Sequence, residues 1–325
     1  MRFLKTEAGA IILWIVGVIS LAAAIFPWLY GAGKNLAARA AAEDLPAIME
    51  SVGKSAGKAG FDTYFSRSLY ASVLLLLPVL IIYLRTIRRK NAAPAPEKPA
   101  PLPWKTRLTH LLTAIVLAGG LLWLLGSALE LAGAFRPEND APAIGKVLQK
   151  SLVPALFAAV IEEWLFRGLL LGIWLRISKP ATALLSVSFV FAFVHFLQPP
   201  EGSVLADPSA PLAGFRLLGL ILGHFADPLF IAAEFVVLFT IGLILGATRL
   251  RTGSLWFPIG LHAGWIAAFK GFNLLHDEVQ SPLRPLWIGE SLRSGLLPLL
   301  TLLITALICH FTLRCPKAIS NTPRI

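Results

Sequence analysis

Three ionisable residues interrupt an apolar run long enough to cross a bilayer, and that conflict constrains this chain more than any other feature. Residues 152–175 hold thirteen Leu, Ile, Val or Phe, the length and composition of a transmembrane helix. Inside them lies Glu162-Glu163-Trp164-Leu165-Phe166-Arg167. The apolar residues favour insertion by about 5–6 kcal/mol, whereas three charges near the centre oppose it by roughly 8–10 kcal/mol. The segment therefore cannot present all its sides to lipid. Its charged face must meet protein or water, and so costly a cluster marks a functional site.

The rest of the chain agrees with a membrane setting. It is 56% hydrophobic and only 14% charged, which places it among integral membrane proteins. Apolar runs predict an all-α polytopic transmembrane helical bundle of about eight spanning helices, near 8–30, 69–86, 108–133, 152–175, 180–198, 228–248, 255–270 and 294–313. A basic start and an Ala-rich stretch give residues 1–24 some likeness to a signal peptide. The apolar run continues through Ile25, Phe26, Trp28 and Leu29, which favours an uncleaved first helix.

The net charge of +11 is a topology signal rather than a nucleic-acid footprint. Lys and Arg concentrate in alternate connections: Arg2 and Lys5, seven residues within 85–107, Arg176 and Lys179, Arg249 and Arg251, then Arg314, Lys317 and Arg324. Only Glu7 and Glu97 accompany them. That asymmetry predicts both termini in the cytoplasm, with the lipid bilayer as a partner and no nucleic acid. The short connections suit a bacterial inner membrane. Cys309 and Cys315 support neither a disulfide framework nor a zinc knuckle.

Composition also divides the chain. Residues 1–90 form a two-helix membrane unit, in which 31–68 reads as an extracytoplasmic connection with one or two short helices. Residues 91–103 are a basic, Pro-rich cytoplasmic linker. Residues 104–325 form a six-helix unit, and all the candidate chemistry falls there.

On a helix, Glu163 and Arg167 stand at i and i+4, where an acid reaches a base on the same face. Glu162 is rotated about 100° from Glu163, so the adjacent carboxylates cannot share one task. Phe191-Ala-Phe-Val-His195 puts an imidazole near the end of the next span, and His262 lies inside the span 255–270. Glu and His together can move a proton from water during attack on an amide carbonyl. A second His can donate to the oxyanion that forms.

These segments resemble the CAAX protease and bacteriocin-processing family of intramembrane glutamic endopeptidases. Its Glu-Glu-x-x-x-Arg motif is matched by Glu162, Glu163 and Arg167, and its Phe-x-x-x-His motif by Phe191 and His195. Its third motif is matched by His262 with the lead-in Gly253-Ser254-Leu255-Trp256. The resemblance covers about 150–270. It implies a catalytic core of spans four to seven and hydrolysis of a peptide or lipidated protein substrate without cofactor or metal. Glu162 is then the general base acting with His195, Glu163 with Arg167 organises the site, and His262 supplies the oxyanion hole. One position departs from the pattern. Where the family carries Asn or Asp four residues after His262, this chain has Ile266, and the neighbouring Trp265 indole N–H is the nearest substitute donor.

Three other readings compete. Glu162, His195 and His262 are zinc-ligand types, although a metalloprotease helix of the His-Glu-x-x-His kind is missing. Ile266 suits a catalytically inactive membrane scaffold, or a peptide-binding or immunity protein. Glu130 and Glu234 within spans suit a proton-coupled transporter, but no symmetric halves accompany them. His276-Asp277-Glu278 reads as a solvated turn.

Overall fold

The computed structural model describes residues 6–90, 102–199, 202–280, 286–288 and 292–313. In chain order these form α1 (Glu7–Ala42), α2 (Ala47–Lys58), α3 (Phe61–Lys90), α4 (Trp104–Leu131), β1 (Phe135–Pro137), α5 (Ile144–Glu163), α6 (Leu171–Ile177) and α7 (Pro180–His195). There follow α8 (Ala213–His224), α9 (Pro228–Phe230), α10 (Val236–Thr252), α11 (Trp256–Asn273), β2 (His276–Glu278) and α12 (Leu296–Thr312). A π-helical turn at Trp164–Leu170 joins α5 to α6, and another at Ile231–Phe235 leads α9 into α10. Each of the eight expected spans falls on helix, and the molecule is an all-α membrane bundle. Helices α1, α3 and α4 are each long and apolar enough to cross a bilayer alone, and shorter apolar helices include α7, α8 and α12.

The backbone clusters into two compact units, Met1–Glu97 with Val194–Asp227, and Lys98–Phe193 with Pro228–Ile325. In the first, α1 packs on α2, α3 and α8. The 36 residues of α1 extend about 54 Å, well past the roughly 30 Å of bilayer hydrocarbon. Its polar second half and α2 account for most of the expected extracytoplasmic connection. Lys34 Nζ donates to the carbonyls of Gly57 and Ala59 at 3.0 and 2.8 Å, satisfying the C-terminal end of α2 where a cation is favoured. Helix α8 was not expected. Its 12 residues reach only about 18 Å, so a search for bilayer-length runs passes over it.

In the second unit α11 is the central element, packed on α4, α5 and α10. Phe257 through Trp265 are all buried, as expected of a helix surrounded by others. Small residues allow this. A Cβ on Gly264 would lie 2.6 Å from the Ile115 carbonyl oxygen, and one on Gly260 would collide with the Leu111 carbonyl of α4. The Gly-x-x-x-Gly spacing thus brings two backbones together, the common device for helix contact in lipid. Ala155 and Ala159 of α5 are buried likewise, the latter against Ile259 and Ala263.

The solvated turn expected at 276–278 is instead a strand. β2 pairs antiparallel with β1, and His276 stacks on Phe272 with ring centroids 3.9 Å apart. Its Nε2 lies 3.2 Å from Glu130 Oε2, so Glu130 has an imidazole partner at the end of α4. The pairing joins residues distant in sequence, which no local turn signal reveals.

Candidate active site

The site is assembled on α11, on the C-terminal end of α5 and the π turn that follows it, and on α7. Along α5 the buried residues are Val147, Ser151, Ala155, Ala159 and Glu163, one per turn. In the π turn they become adjacent, Phe166 with Arg167, then Leu170 with Leu171. The Leu171 N–H reaches back five residues to the Phe166 carbonyl, and this wider turn directs two side chains inward at each level. Such single turns recur at functional sites.

The lead-in to α11 has its own local logic. Gly253 adopts φ +65°, the left-handed conformation that ends a helix, and its N–H bonds the Arg249 carbonyl at 3.0 Å. Ser254 Oγ accepts from the Trp256 N–H at 3.3 Å, serving an open donor of the new helix. His262 lies six residues into α11, about 9 Å along its axis.

Glu163 and Arg167 form the predicted i, i+4 pair, with Arg167 Nη1 donating to Glu163 Oε1 at 2.8 Å. Arg167 Nη2 donates to the Gly242 carbonyl at 3.1 Å, and its guanidinium carbon sits 4.3 Å from the Phe191 ring centroid. Glu163 Oε1 also lies 2.9 Å from His262 Nδ1. The other imidazole nitrogen, Nε2, is 3.8 Å from Glu162 Oε2, an ion-pair separation rather than a direct hydrogen bond. The Phe191 ring meets the His262 ring edge-on at 5.9 Å. Exposure divides the members: the side chains of Glu163, Arg167 and His262 are 0%, 1% and 7% exposed, against 30% for Glu162. Three side chains are sealed against one another, and the fourth is partly exposed although its Oε2, the oxygen nearest His262, is buried.

Of the sequence candidates, Glu162, Glu163, Arg167, Phe191 and His262 come together. Trp265 is buried one turn beyond His262, within the apolar cluster that holds Phe257, Leu261 and Phe272. Its indole N–H has no acceptor among the described residues. Ile266 beside it is half-buried. His195 is the last residue of α7 and is half-buried. Among the described residues no group of three or more His, Cys, Asp or Glu side chains is arranged to hold a metal ion. Sequence reasoning missed the Gly242 carbonyl. A Cβ at Gly242 would lie 2.9 Å from Ser188 Cβ, so α10 and α7 approach closely there.

Searches among curated proteins and among solved structures find no match to this chain. Residues 145–268, from the start of α5 into the fourth turn of α11, match the family model described as type II CAAX prenyl endopeptidase Rce1-like. The segment that carries Glu162, Glu163, Arg167, Phe191 and His262 is thus similar to the CAAX-type prenyl endopeptidase family and lies within a helical membrane bundle.

Proposed function

We propose that this protein is an intramembrane endopeptidase of the glutamic type, in which Glu162 activates the hydrolytic water. The observation carrying this reading is the contrast between two adjacent carboxylates. Glu163 is sealed by Arg167 and His262, while Glu162 keeps 30% of its side chain exposed and lies 3.8 Å from an imidazole. A general base needs access to water, and an imidazole beside it is placed to donate to the oxyanion that forms.

In the proposed reaction Glu162 takes a proton from water as the water oxygen bonds to the scissile carbonyl carbon. The carbonyl π electrons move onto oxygen, and His262, protonated on both ring nitrogens with Nδ1–H held by Glu163, donates from Nε2–H to that oxyanion. When the tetrahedral species collapses, the C–N bond breaks and the proton held by Glu162 passes to the leaving amine. Atoms and charge balance without a covalent enzyme intermediate. Phe191 and Arg167 hold the cluster together, and Trp265 supplies a second oxyanion donor in place of the amide that Ile266 lacks. The substrate is a peptide or a lipidated protein tail. The positive-inside pattern supports both termini in the cytoplasm of a bacterial inner membrane, with residues 91–103 linking a two-helix unit to the six-helix protease unit.

The test is cleavage of membrane-embedded and lipidated peptides by purified protein, beside Glu162→Gln and with a chelator. Cleavage by the wild type, lost by at least ~10³-fold in Glu162→Gln and unchanged by chelation, is expected for a general base whose removal leaves only the binding and oxyanion terms. Chelator-sensitive cleavage identifies a metalloprotease instead. Tight peptide binding without cleavage identifies a scaffold, the reading that Ile266 supports.

A further inference from the structure

We infer that Glu163 is a positioning residue that fixes the tautomer of His262 and thereby assigns separate tasks to its two nitrogens. The inference deepens the proposed endopeptidase reading and rests on it for its kinetic consequence, though not for its structural one. Arg167 is a donor only, and its Nη1 lies 2.8 Å from Glu163 Oε1, so that oxygen is an acceptor. The same oxygen lies 2.9 Å from His262 Nδ1. An acceptor at that distance requires the hydrogen on Nδ1. The tautomer is thus set by a group 99 residues away in sequence, leaving Nε2 directed toward Glu162.

The arrangement has a chemical consequence. Nε2 is the nitrogen left to meet substrate, and whenever it carries a proton the Glu163 carboxylate balances the imidazolium charge through Nδ1–H. This is the logic by which a buried carboxylate orients a catalytic imidazole in hydrolytic triads. Arg167 keeps that carboxylate from turning away, and the Phe191 ring 5.9 Å from the imidazole limits its rotation. Glu163 therefore acts through His262 and does not touch the reacting atoms.

The test uses the full chain in micelles with 15N-labelled histidine, the His262 signals being assigned by their loss in His262→Gln. Removing Glu163 alone with an apolar residue would strand Arg167, so the informative variant is Glu163→Met with Arg167→Met, which removes both charges together. In the wild type His262 is expected to show a protonated Nδ1 held in a hydrogen bond. In the double variant that signature is lost, and kcat falls by about 10²–10⁴-fold with KM little changed, the scale seen when an imidazole is left in the wrong tautomer. Glu163→Gln, whose amide carbonyl still accepts from Nδ1–H, keeps the signature and loses roughly tenfold less rate than the double variant. An unchanged His262 spectrum in a folded double variant overturns the inference, as does a changed spectrum with wild-type kcat. If the wild type cleaves nothing, the endopeptidase reading fails while the spectra still decide the tautomer.

Discussion

Replacing Arg167 by Met removes a guanidinium from a set of groups sealed away from water. The wild-type side chain is 1% exposed and its carboxylate partner 0%. The substitution keeps volume and flexibility but deletes the 2.8 Å bond to Glu163, the 3.1 Å bond to the Gly242 carbonyl and the contact with Phe191. Breaking a buried pair from one side costs about 3–5 kcal/mol, because the remaining charge stays buried without its partner. The ring contact accounts for at most about 2 kcal/mol of this. The Gly242 carbonyl contributes less, since a helical carbonyl also accepts within its own helix. Arg167→Met is therefore expected to lose about 3–5 kcal/mol of unfolding free energy, measured by denaturant titration in micelles with the protein's Trp fluorescence as probe. Adding Glu163→Met should recover most of that loss, because replacing both partners by apolar groups of similar volume is close to neutral. A single-variant loss below about 1 kcal/mol, the range of exposed pairs, would refute this account of the cluster. So would a double variant as unstable as the single.

Two further substitutions separate catalysis from packing. Trp265→Phe removes an indole N–H that has no acceptor among the described residues and keeps the ring. It should lower kcat by about 10²-fold, as for other oxyanion donors, without lowering stability. Ile266→Asn added to it should restore rate, and an unchanged kcat in Trp265→Phe removes that residue from the reaction. Gly264→Leu places a Cβ 2.6 Å from the Ile115 carbonyl oxygen and should cost at least about 1–3 kcal/mol through overpacking. Gly172→Ala, where nothing lies within 4 Å of the added carbon, serves as the tolerated control, and equal melting temperatures for the two variants would contradict the close approach of α4 and α11.

What the sequence made legible was local. The apolar runs located the spans because length and hydropathy alone decide whether a helix can enter lipid. The Glu163–Arg167 pair followed from four-residue spacing, and it survives the π turn because both residues still fall near one face. Contacts between distant segments left weaker traces or none. Nothing in the composition of 253–270 says that His262 Nδ1 meets Glu163, and nothing near 276 says that its imidazole reaches Glu130, 146 residues earlier. The Gly242 carbonyl was hidden because a backbone acceptor carries no side-chain signature. Helix α8 was hidden because it is shorter than the length by which spans are recognised.

The two neighbouring carboxylates divide their work by rotation alone. About 100° of helix separates them, enough to turn Glu163 into contact with Arg167 and His262 while Glu162 stays at the accessible edge. The cost of burying one charge is offset in a network where Glu163 faces Arg167 and His262, and Arg167 also faces the Gly242 carbonyl and the Phe191 ring. The low dielectric that penalises the cluster also strengthens every bond inside it. Glu162, adjacent in sequence and 30% exposed at its side chain, is the carboxylate that the proposed reaction uses as base. A soluble enzyme brings a base and its orienting partners together from separate loops. In the proposed reaction the end of α5 and its π turn supply the base, the orienting carboxylate and its counter-ion, and α11 supplies the imidazole that the two carboxylates face.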